Sequence, residues 1–527
     1  EIASRVGIRT DSDFRIRSGI QYALQQASGE GHTYLPKEEL TKRTARLLEI
    51  EPEYIEKHYM DLAMERKIIL KETNGMVKVF ASSYYLMEAN TAAMLAELDI
   101  RYDVPVREME DRIRRIEDSS GMELDELQKQ AVQEAVQNGL FVLTGGPGTG
   151  KTTTINTIIR YFELEGMDIY LAAPTGRAAK RMSETSGYEA KTIHRMLELN
   201  GGVEETAGFE RNESNPLEAD VVIVDEMSMV DVFLMRAFLR ALPRGARLIL
   251  VGDADQLPSV GAGNVLGDIL RSGVIASVRL NEIFRQSESS LIVRNAHAIN
   301  HGEMPVLNQK NSNFFFERHA YPEDSARAVV ELCRRRLPAY MKCADPLHAI
   351  QVLSPTKKGA CGVIALNAML QAALNPPCPE KPEIQYGERI FRQGDKVMHI
   401  KNNYQLEWMG EDDSDGTGVF NGDMGVVLTV DTEEKTLVVF FDDGRTAEYE
   451  YAMLEELELA YCLSVHKSQG SEFACVVMPC VGGPPMLLTR NLFYTALTRA
   501  KELVVLVGRE DAISAMVNNN HIARRYT

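Results

Sequence analysis

Lys151 and the residues around it carry the plainest chemical signal in the chain. The run Gly145-Gly146-Pro147-Gly148-Thr149-Gly150-Lys151-Thr152-Thr153 follows the apolar stretch Leu140-Phe141-Val142-Leu143-Thr144. Its spacing fits the G-x-x-x-x-G-K-[ST] pattern, in which bare glycine backbone lets several N–H groups point at one phosphate without Cβ interference. A helix that restarts at Lys151 adds the partial positive charge of its N-terminus. Lys151 then acts as a point charge for the β- and γ-phosphates of ATP, and the Thr152 hydroxyl as one ligand of Mg²⁺. Gly146, Pro147, Gly148, Thr149, Gly150 and Thr153 complete the nucleotide cradle. A glycine-rich turn with a surface lysine is the bland alternative, and the strand before and helix after the run argue against it.

Such a loop needs further strand ends to work with. Val221-Val222-Ile223-Val224-Asp225-Glu226 is an acidic one. Asp225 is placed to hold Mg²⁺ through water, and Glu226 to orient and deprotonate the attacking water. Leu248-Ile249-Leu250-Val251-Gly252-Asp253-Ala254-Asp255-Gln256 is another, with Gln256 positioned to sense the γ-phosphate. Upstream of the loop, Gln128 offers a donor and an acceptor that match adenine N7 and its 6-amino group.

A third strand, Ile169-Tyr170-Leu171-Ala172-Ala173, runs into Pro174-Thr175-Gly176-Arg177, with Lys180 and Arg181 beyond. Functional groups in open α/β sheets gather at carboxyl ends of strands. Pro174, Thr175 and Arg177 are therefore read as contacts to a phosphodiester backbone, with a solvated cationic helix face as the rival reading. His194 is grouped with them, although a lone histidine is more often structural. Residues 197–217 are turn-rich and read either as a β-hairpin projecting between two core strands or as an insertion without fixed structure.

Composition bounds the rest. At 527 residues the chain exceeds one core and divides into about three or four domains. No apolar stretch approaches the roughly 18 to 20 residues that cross a bilayer, and no signal segment opens the chain, so a cytoplasmic protein without membrane contact is the simplest expectation. Seven cysteines include no C-x-x-C pair, which points away from a zinc ribbon or an iron–sulfur cluster. The formal charge of −18 argues mildly against a static, tight DNA binder, whereas an enzyme that moves along DNA needs only a local basic track. Glu1 in place of methionine reads as the start of a fragment or trimmed chain.

Residues 1–120 read as a helical unit. Asn74-Gly75 between Ile68-Ile69-Leu70 and Met76-Val77-Lys78-Val79-Phe80 is a hairpin signal. Helices followed by a hairpin resemble a winged helix, equally apt as a nucleic-acid module or as packing. Toward the other end, short strands separated by turns over 406–459 read as a small antiparallel barrel. Just before it, Asn402, Asn403 and Tyr404 lie near a sheet edge where they could bond to and stack with single-stranded bases; ordinary packing of Tyr404 is the alternative.

The ordered set resembles superfamily 1 helicases, and in wording the RecD/TraA branch that includes the exodeoxyribonuclease V alpha chain. Besides the phosphate loop, the matching blocks are Ala173-Pro174-Thr175-Gly176-Arg177-Ala178-Ala179, Val224-Asp225-Glu226-Met227-Ser228-Met229 and Gly252-Asp253-Ala254-Asp255-Gln256-Leu257-Pro258. Further blocks are Asn281-Glu282-Ile283-Phe284-Arg285-Gln286, Ser464-Val465-His466-Lys467-Ser468-Gln469-Gly470-Ser471-Glu472 and Tyr494-Thr495-Ala496-Leu497-Thr498-Arg499. The resemblance implies an α/β fold of two RecA-like domains, 121–278 and 279–405 with 460–527, and an SH3-like barrel insertion in the second. It implies that Arg285 and Arg499 reach the γ-phosphate as arginine fingers, that Gly470 and Glu472 lie at the nucleotide with Glu472 at the ribose, and that Ser464 and His466 face DNA.

It further implies ATP-driven movement on single-stranded DNA with 5′ to 3′ polarity and unwinding of duplex DNA in repair or recombination. A free-standing enzyme, monomeric, is preferred over a subunit of a RecBCD-like complex. Two rivals are weaker. A nuclease site rests only on the E-x-K spacing of Glu433-Glu434-Lys435, which falls in an apparent turn without an acidic cluster. A nonhydrolytic ATP switch sits badly with the Asp225-Glu226 pair.

Overall fold

The computed structural model describes residues 12–198, 208–281, 290–309, 312–411, 414–520 and 525–527. The N-terminal unit sets helices Asp13–Gly29, Lys37–Leu48 and His58–Met64 against strands β1 (Tyr34–Pro36), β2 (Ile68–Thr73) and β3 (Met76–Ala81) in the antiparallel order β1-β3-β2. Asn74 and Gly75 take φ of 52° and 76°, the left-handed pair that a two-residue hairpin turn demands. Ile16, Ile20, Leu24, Leu40, Tyr59 and Val79 form its own core.

The first lobe is a parallel sheet of β4 (Leu140–Gly145), β5 (Ile169–Ala173), β6 (Ala190–Thr192), β7 (Val221–Val224), β8 (Arg247–Gly252) and β9 (Ala276–Leu280), ordered β6-β5-β7-β8-β4-β9. β4, β7 and β8 are buried throughout, because helices cover both faces of a parallel sheet and its central strands must be apolar all along. One covering layer is the helix Val106–Ser120, whose Met109, Ile113 and Ile116 belong to the core of this lobe. The expected boundary at residue 120 therefore does not coincide with a change of core.

The second lobe contains β10 (Phe314–Arg318) and β11 (Ile350–Ser354) before the chain leaves it for an antiparallel excursion. That excursion comprises the hairpin β12 (Glu383–Tyr386) and β13 (Arg389–Arg392), followed by β14 (Lys396–His399), β15 (Asn403–Gly410), β16 (Asp415–Val419), β17 (Met424–Asp431), β18 (Thr436–Phe441), β19 (Arg445–Glu450) and β20 (Leu457–Leu459). The order β16-β15-β19-β18-β17-β14-β20 gives one continuous sheet. It starts at Lys396, so the expected start at residue 406 cuts through β15. The chain returns with β21 (Cys462–Ser464), β22 (Phe473–Cys480) and β23 (Ala500–Gly508), closing a second parallel sheet in the order β10-β23-β22-β11-β21. No helix among the described residues is long and apolar enough to cross a membrane.

Candidate active site

The phosphate loop lies where β4 gives way to the helix Lys151–Leu164. Gly148 and Gly150 carry φ of 71° and 80°, conformations that glycine adopts without a Cβ penalty. Thr149 is buried and donates to the Gly146 carbonyl at 2.9 Å, tightening the turn. Lys151 Nζ donates to the same carbonyl at 2.8 Å and to that of Gly145 at 2.5 Å, so its ammonium is folded inside the loop. Thr152 is exposed and Thr153 half-buried at the first helical turn. A Cβ on Gly146 would stand 3.0 Å from Tyr494 Oη and 3.3 Å from His297. The loop is thus roofed by the second lobe.

Gln128, expected at adenine, lies beside the phosphate loop. It is buried, its amide oxygen accepts from the Asp125 N–H at 3.0 Å in a capping box, and its amide nitrogen donates to the Gly150 carbonyl at 3.2 Å. These bonds tie the preceding helix to the phosphate loop and leave the amide one acceptor site and one donor.

Asp225 and Glu226 emerge from β7 at the mouth of the loop. Glu226 has φ of 56°, unusual for a side-chain-bearing residue, and such strain clusters at functional sites. Arg181, on the helix Gly176–Ser186, meets both acids: Nη2 lies 3.4 Å from Asp225 Oδ2 and 3.1 Å from Glu226 Oε1, while Nη1 lies 2.6 Å from Glu472 Oε1 of the second lobe. Arg499 of the second lobe approaches Glu226 Oε1 at 3.9 Å. Burial pushes the Glu226 carboxyl up, yet Arg181, Arg499 and Lys151 together outweigh it and hold Glu226 below the ordinary carboxylate range. Asp225 moves the other way, raised by burial and by the Glu226 charge beside it. Two adjacent acids in different electrostatic settings suit different tasks.

The β8 end completes the floor. Asp253 accepts from Tyr494 Oη at 2.7 Å and from Gln256 Nε2 at 3.3 Å, and burial raises its carboxyl pKa. Gln256 is buried with its amide oxygen lacking a hydrogen-bond partner, and Arg499 Nε is likewise buried without one. These orphaned polar atoms, with the left-handed glycines and the inward lysine, fit a triphosphate; Thr152 and Asp225 offer the hard oxygen donors that Mg²⁺ takes. Across the cleft, His297 Nε2 lies 3.3 Å from the Pro147 carbonyl oxygen. Leu257 is pinned from the second lobe on both sides, its N–H donating to Thr495 at 3.0 Å and its carbonyl accepting from Gln469 at 2.7 Å.

Of the remaining predicted nucleotide residues, Arg285 lies outside the described residues. Gly470, at φ 71°, packs on the first lobe: a Cβ there would stand 2.6 Å from Thr175 Oγ1. Glu472 is paired with Arg181 and, at 3.2 Å, with Lys501.

The residues expected at DNA are spread over several elements. Pro174 precedes Thr175, whose hydroxyl caps the helix Gly176–Ser186. Arg177 forms an ion pair with Asp442 in the turn after β18, and Lys180 Nζ donates to the Asp442 carbonyl at 2.8 Å. His194 lies beside Phe209, ring centroids 6.3 Å apart. Asn402 Oδ1 accepts from the Asn421 N–H at 2.9 Å; Asn403 bonds Glu456 at 2.9 Å; Tyr404 sits edge-on to Phe420. Ser464 ends β21, accepting from the Lys467 N–H at 3.4 Å, and His466 is exposed one turn later. At the expected hairpin, Glu198 and Leu197 carbonyls accept from the Glu210 and Arg211 N–H groups at 3.1 and 3.2 Å, which pairs the two chain ends; residues 199–207 lie outside the described residues. Glu433-Glu434-Lys435 forms the turn between β17 and β18, with Asp431 accepting from the Glu433 and Glu434 amides.

Sequence reading placed Arg181 with the DNA-side cations and passed over Tyr494 and His297. The available signal for Tyr494 was its position at the head of the Tyr494-Thr495-Ala496-Leu497-Thr498-Arg499 block. For Arg181 there was none, since its direction is decided by tertiary packing.

A parallel-sheet lobe with a phosphate loop, roofed by a second parallel-sheet lobe, defines a two-lobed P-loop protein. An AAA domain family matches residues 128–262, the ATP-dependent RecD-like DNA helicase SH3 domain 366–441, the UvrD-like helicase C-terminal domain 459–507 and the ATP-dependent RecD2 DNA helicase HHH domain 1–34. The ATP-dependent RecD2 DNA helicase of Deinococcus radiodurans is 37% identical over 389 residues, covering 74% of this chain and 50% of that protein. The RecBCD enzyme subunit RecD of Mycobacterium tuberculosis is 33% identical over 431 residues, covering 74% of this chain and 70% of that one. Among solved structures, the Pif1 helicase of Candida albicans aligns over 76% of this chain and 98% of that chain at 19% identity and a TM-score of 0.43. The chain belongs to the RecD family of superfamily 1 helicases. It spans half the length of the Deinococcus relative.

Proposed function

We propose that this chain is an ATP-driven DNA translocase and helicase. The observation that carries the reading is the convergence of both lobes on one phosphate loop: Lys151, Asp225 and Glu226 from the first, Arg499, Tyr494 and His297 from the second. Lys151 draws the terminal phosphates, Glu226 takes the proton of the attacking water as its oxygen bonds to the γ-phosphorus and the bond to the β-phosphate oxygen breaks, and Arg499 with Arg285 stabilises the charge that shifts to the leaving group. Mg²⁺ bound at Thr152 and Asp225 would neutralise phosphate charge. Because Arg499 belongs to the other lobe, hydrolysis requires closure and its completion permits opening, the cycle a motor needs.

Pro174, Thr175, Arg177, His194, Asn402, Asn403, Tyr404, Ser464 and His466 line the path assigned to single-stranded DNA. The hairpin at 197–217 is assigned the wedge. The domain division proposed is an N-terminal unit, two RecA-like lobes and the barrel. The family resemblance implies 5′ to 3′ movement and a role in repair or recombination. A second reading, a helicase subunit of a RecBCD-type assembly without a nuclease site of its own, is favoured by the Mycobacterium similarity.

The test is ATP turnover by the purified chain with and without single-stranded DNA. Strong stimulation, abolished in Lys151→Ala, is expected; turnover indifferent to DNA would refute the motor. Unwinding of 5′-tailed in preference to 3′-tailed duplexes is expected of the polarity, and the reverse preference would overturn it.

A further inference from the structure

The cationic run Arg177, Lys180, Arg181 splits in two directions. Arg177 and Lys180 turn outward to Asp442, whereas Arg181 turns into the cleft. Its guanidinium divides its nitrogens between the lobes: Nη2 faces Glu226 and Asp225 of the first at 3.1 and 3.4 Å, and Nη1 faces Glu472 of the second at 2.6 Å. Glu472 is held from behind by Lys501 at 3.2 Å, and Glu226 by Arg499 at 3.9 Å. The result is a ladder of alternating charge, Lys501, Glu472, Arg181, Glu226, Arg499, that begins and ends in the second lobe and passes through the first.

A guanidinium is planar and rigid, so its two nitrogens cannot be displaced independently. Moving Glu472 with the second lobe therefore tilts the nitrogen that holds Glu226. Glu226 is also the buried member of the acid pair, and a buried carboxylate that loses a hydrogen-bonded counter-charge is mispositioned as well as costly.

We propose that Arg181 is a positioning residue for hydrolysis: through Glu472 it registers whether the second lobe is closed, and through its other nitrogen it sets the carboxylate of Glu226 that receives the proton from water. This rests on the reading of Glu226 as the base. It gives Glu472 a second task beside the ribose contact expected of it, and it makes base placement, as well as finger insertion, conditional on closure.

The test uses the full chain and three variants, Glu472→Gln, Arg181→Lys and the two combined. Lysine keeps the charge but its single ammonium cannot span both lobes. Glu472→Gln and Arg181→Lys are each expected to lower DNA-stimulated kcat by about tenfold, with KM for ATP within about twofold in Arg181→Lys, and the double variant is expected to be no slower than Arg181→Lys alone. Affinity of Arg181→Lys for a fluorescent ADP analogue should stay within about twofold of wild type, and in nucleotide-free Glu472→Gln the amides of Glu226 to Val230 should exchange hydrogen faster. An unchanged kcat in Glu472→Gln, or losses that multiply in the double variant, would overturn the proposal, since a salt bridge that merely glues the lobes would lower thermal stability and leave kcat in place. Lys151→Ala separates the two levels: wild-type turnover in that variant sinks the nucleotide-site reading itself, whereas its loss together with intact Glu472→Gln kcat sinks only the role of Arg181.

Discussion

Glu226 and Asp225 show how adjacent residues of one chemical type are given different work. Glu226 is surrounded by Arg181, Arg499 and Lys151 and stays ionised, ready to accept a proton, while Asp225 is set apart by burial and by its neighbour's charge. Glu226→Gln removes the proton acceptor without changing shape; single-turnover hydrolysis should fall by about 10² to 10⁴ while nucleotide affinity is retained. Away from the cleft, Lys396 opens β14 fully buried, donating to the Leu347 carbonyl at 2.7 Å and Gln351 Oε1 at 2.9 Å. Burial, with the Arg177 charge, lowers its pKa from 10.5 to about 7. The unfolded chain then binds more protons than the folded one between these two values, so this lysine makes stability rise as pH increases through that window and is destabilising below it. Urea unfolding of wild type against Lys396→Met should show that slope, at most about 1.4 kcal/mol per pH unit, in the wild type alone. A parallel pH dependence in both proteins would contradict the assignment.

The elements that position the site were the most legible part of the sequence. The phosphate loop and the acidic end of β7 are local signals: glycines with left-handed φ, an apolar run, two acids, all contiguous. The bonds of Gln128 were not legible for the converse reason, since its capping box depends on Asp125 and the carbonyl it meets belongs to Gly150. The barrel was expected ten residues late because Lys396-Val397-Met398-His399 is only four residues long with a single β-branched member, Val397, and pairing with β17 and β20 makes it a strand. At the interface of barrel and first lobe, Asp442 engages Arg177 and Lys180, and the Arg195 guanidinium lies 6.0 and 5.6 Å from the Trp408 and Phe420 rings. In the proposed DNA path, one carboxylate and two aromatic rings already hold cations suited to phosphate and base contacts. Asp442→Asn should therefore tighten single-stranded DNA binding by about twofold to tenfold at low salt in a fluorescence anisotropy titration, the exposed ion pair itself being weak. Weaker binding would show instead that the contact builds the DNA path.

At the scale of the molecule, the end of the described chain ties the N-terminal unit to the sensor strand. Arg525 Nη1 donates to the Gly263 carbonyl at 2.7 Å, to that of Gly261 at 3.0 Å and to Ser259 Oγ at 3.1 Å, just beyond Gln256. The Tyr526 carbonyl accepts from the Thr33 N–H at 2.9 Å, and its ring lies 5.2 Å from His32. Arg525→Ala should leave the lobes folded but release the N-terminal unit, read as faster proteolysis near residues 30–35; unchanged cleavage would place the restraint elsewhere. The central claim is that both lobes serve a single triphosphate, and Arg499→Ala tests it most directly. DNA-stimulated hydrolysis is expected to fall by about 10³ or more while a fluorescent nucleotide still binds. Hydrolysis at the wild-type rate, with binding intact, would contradict it.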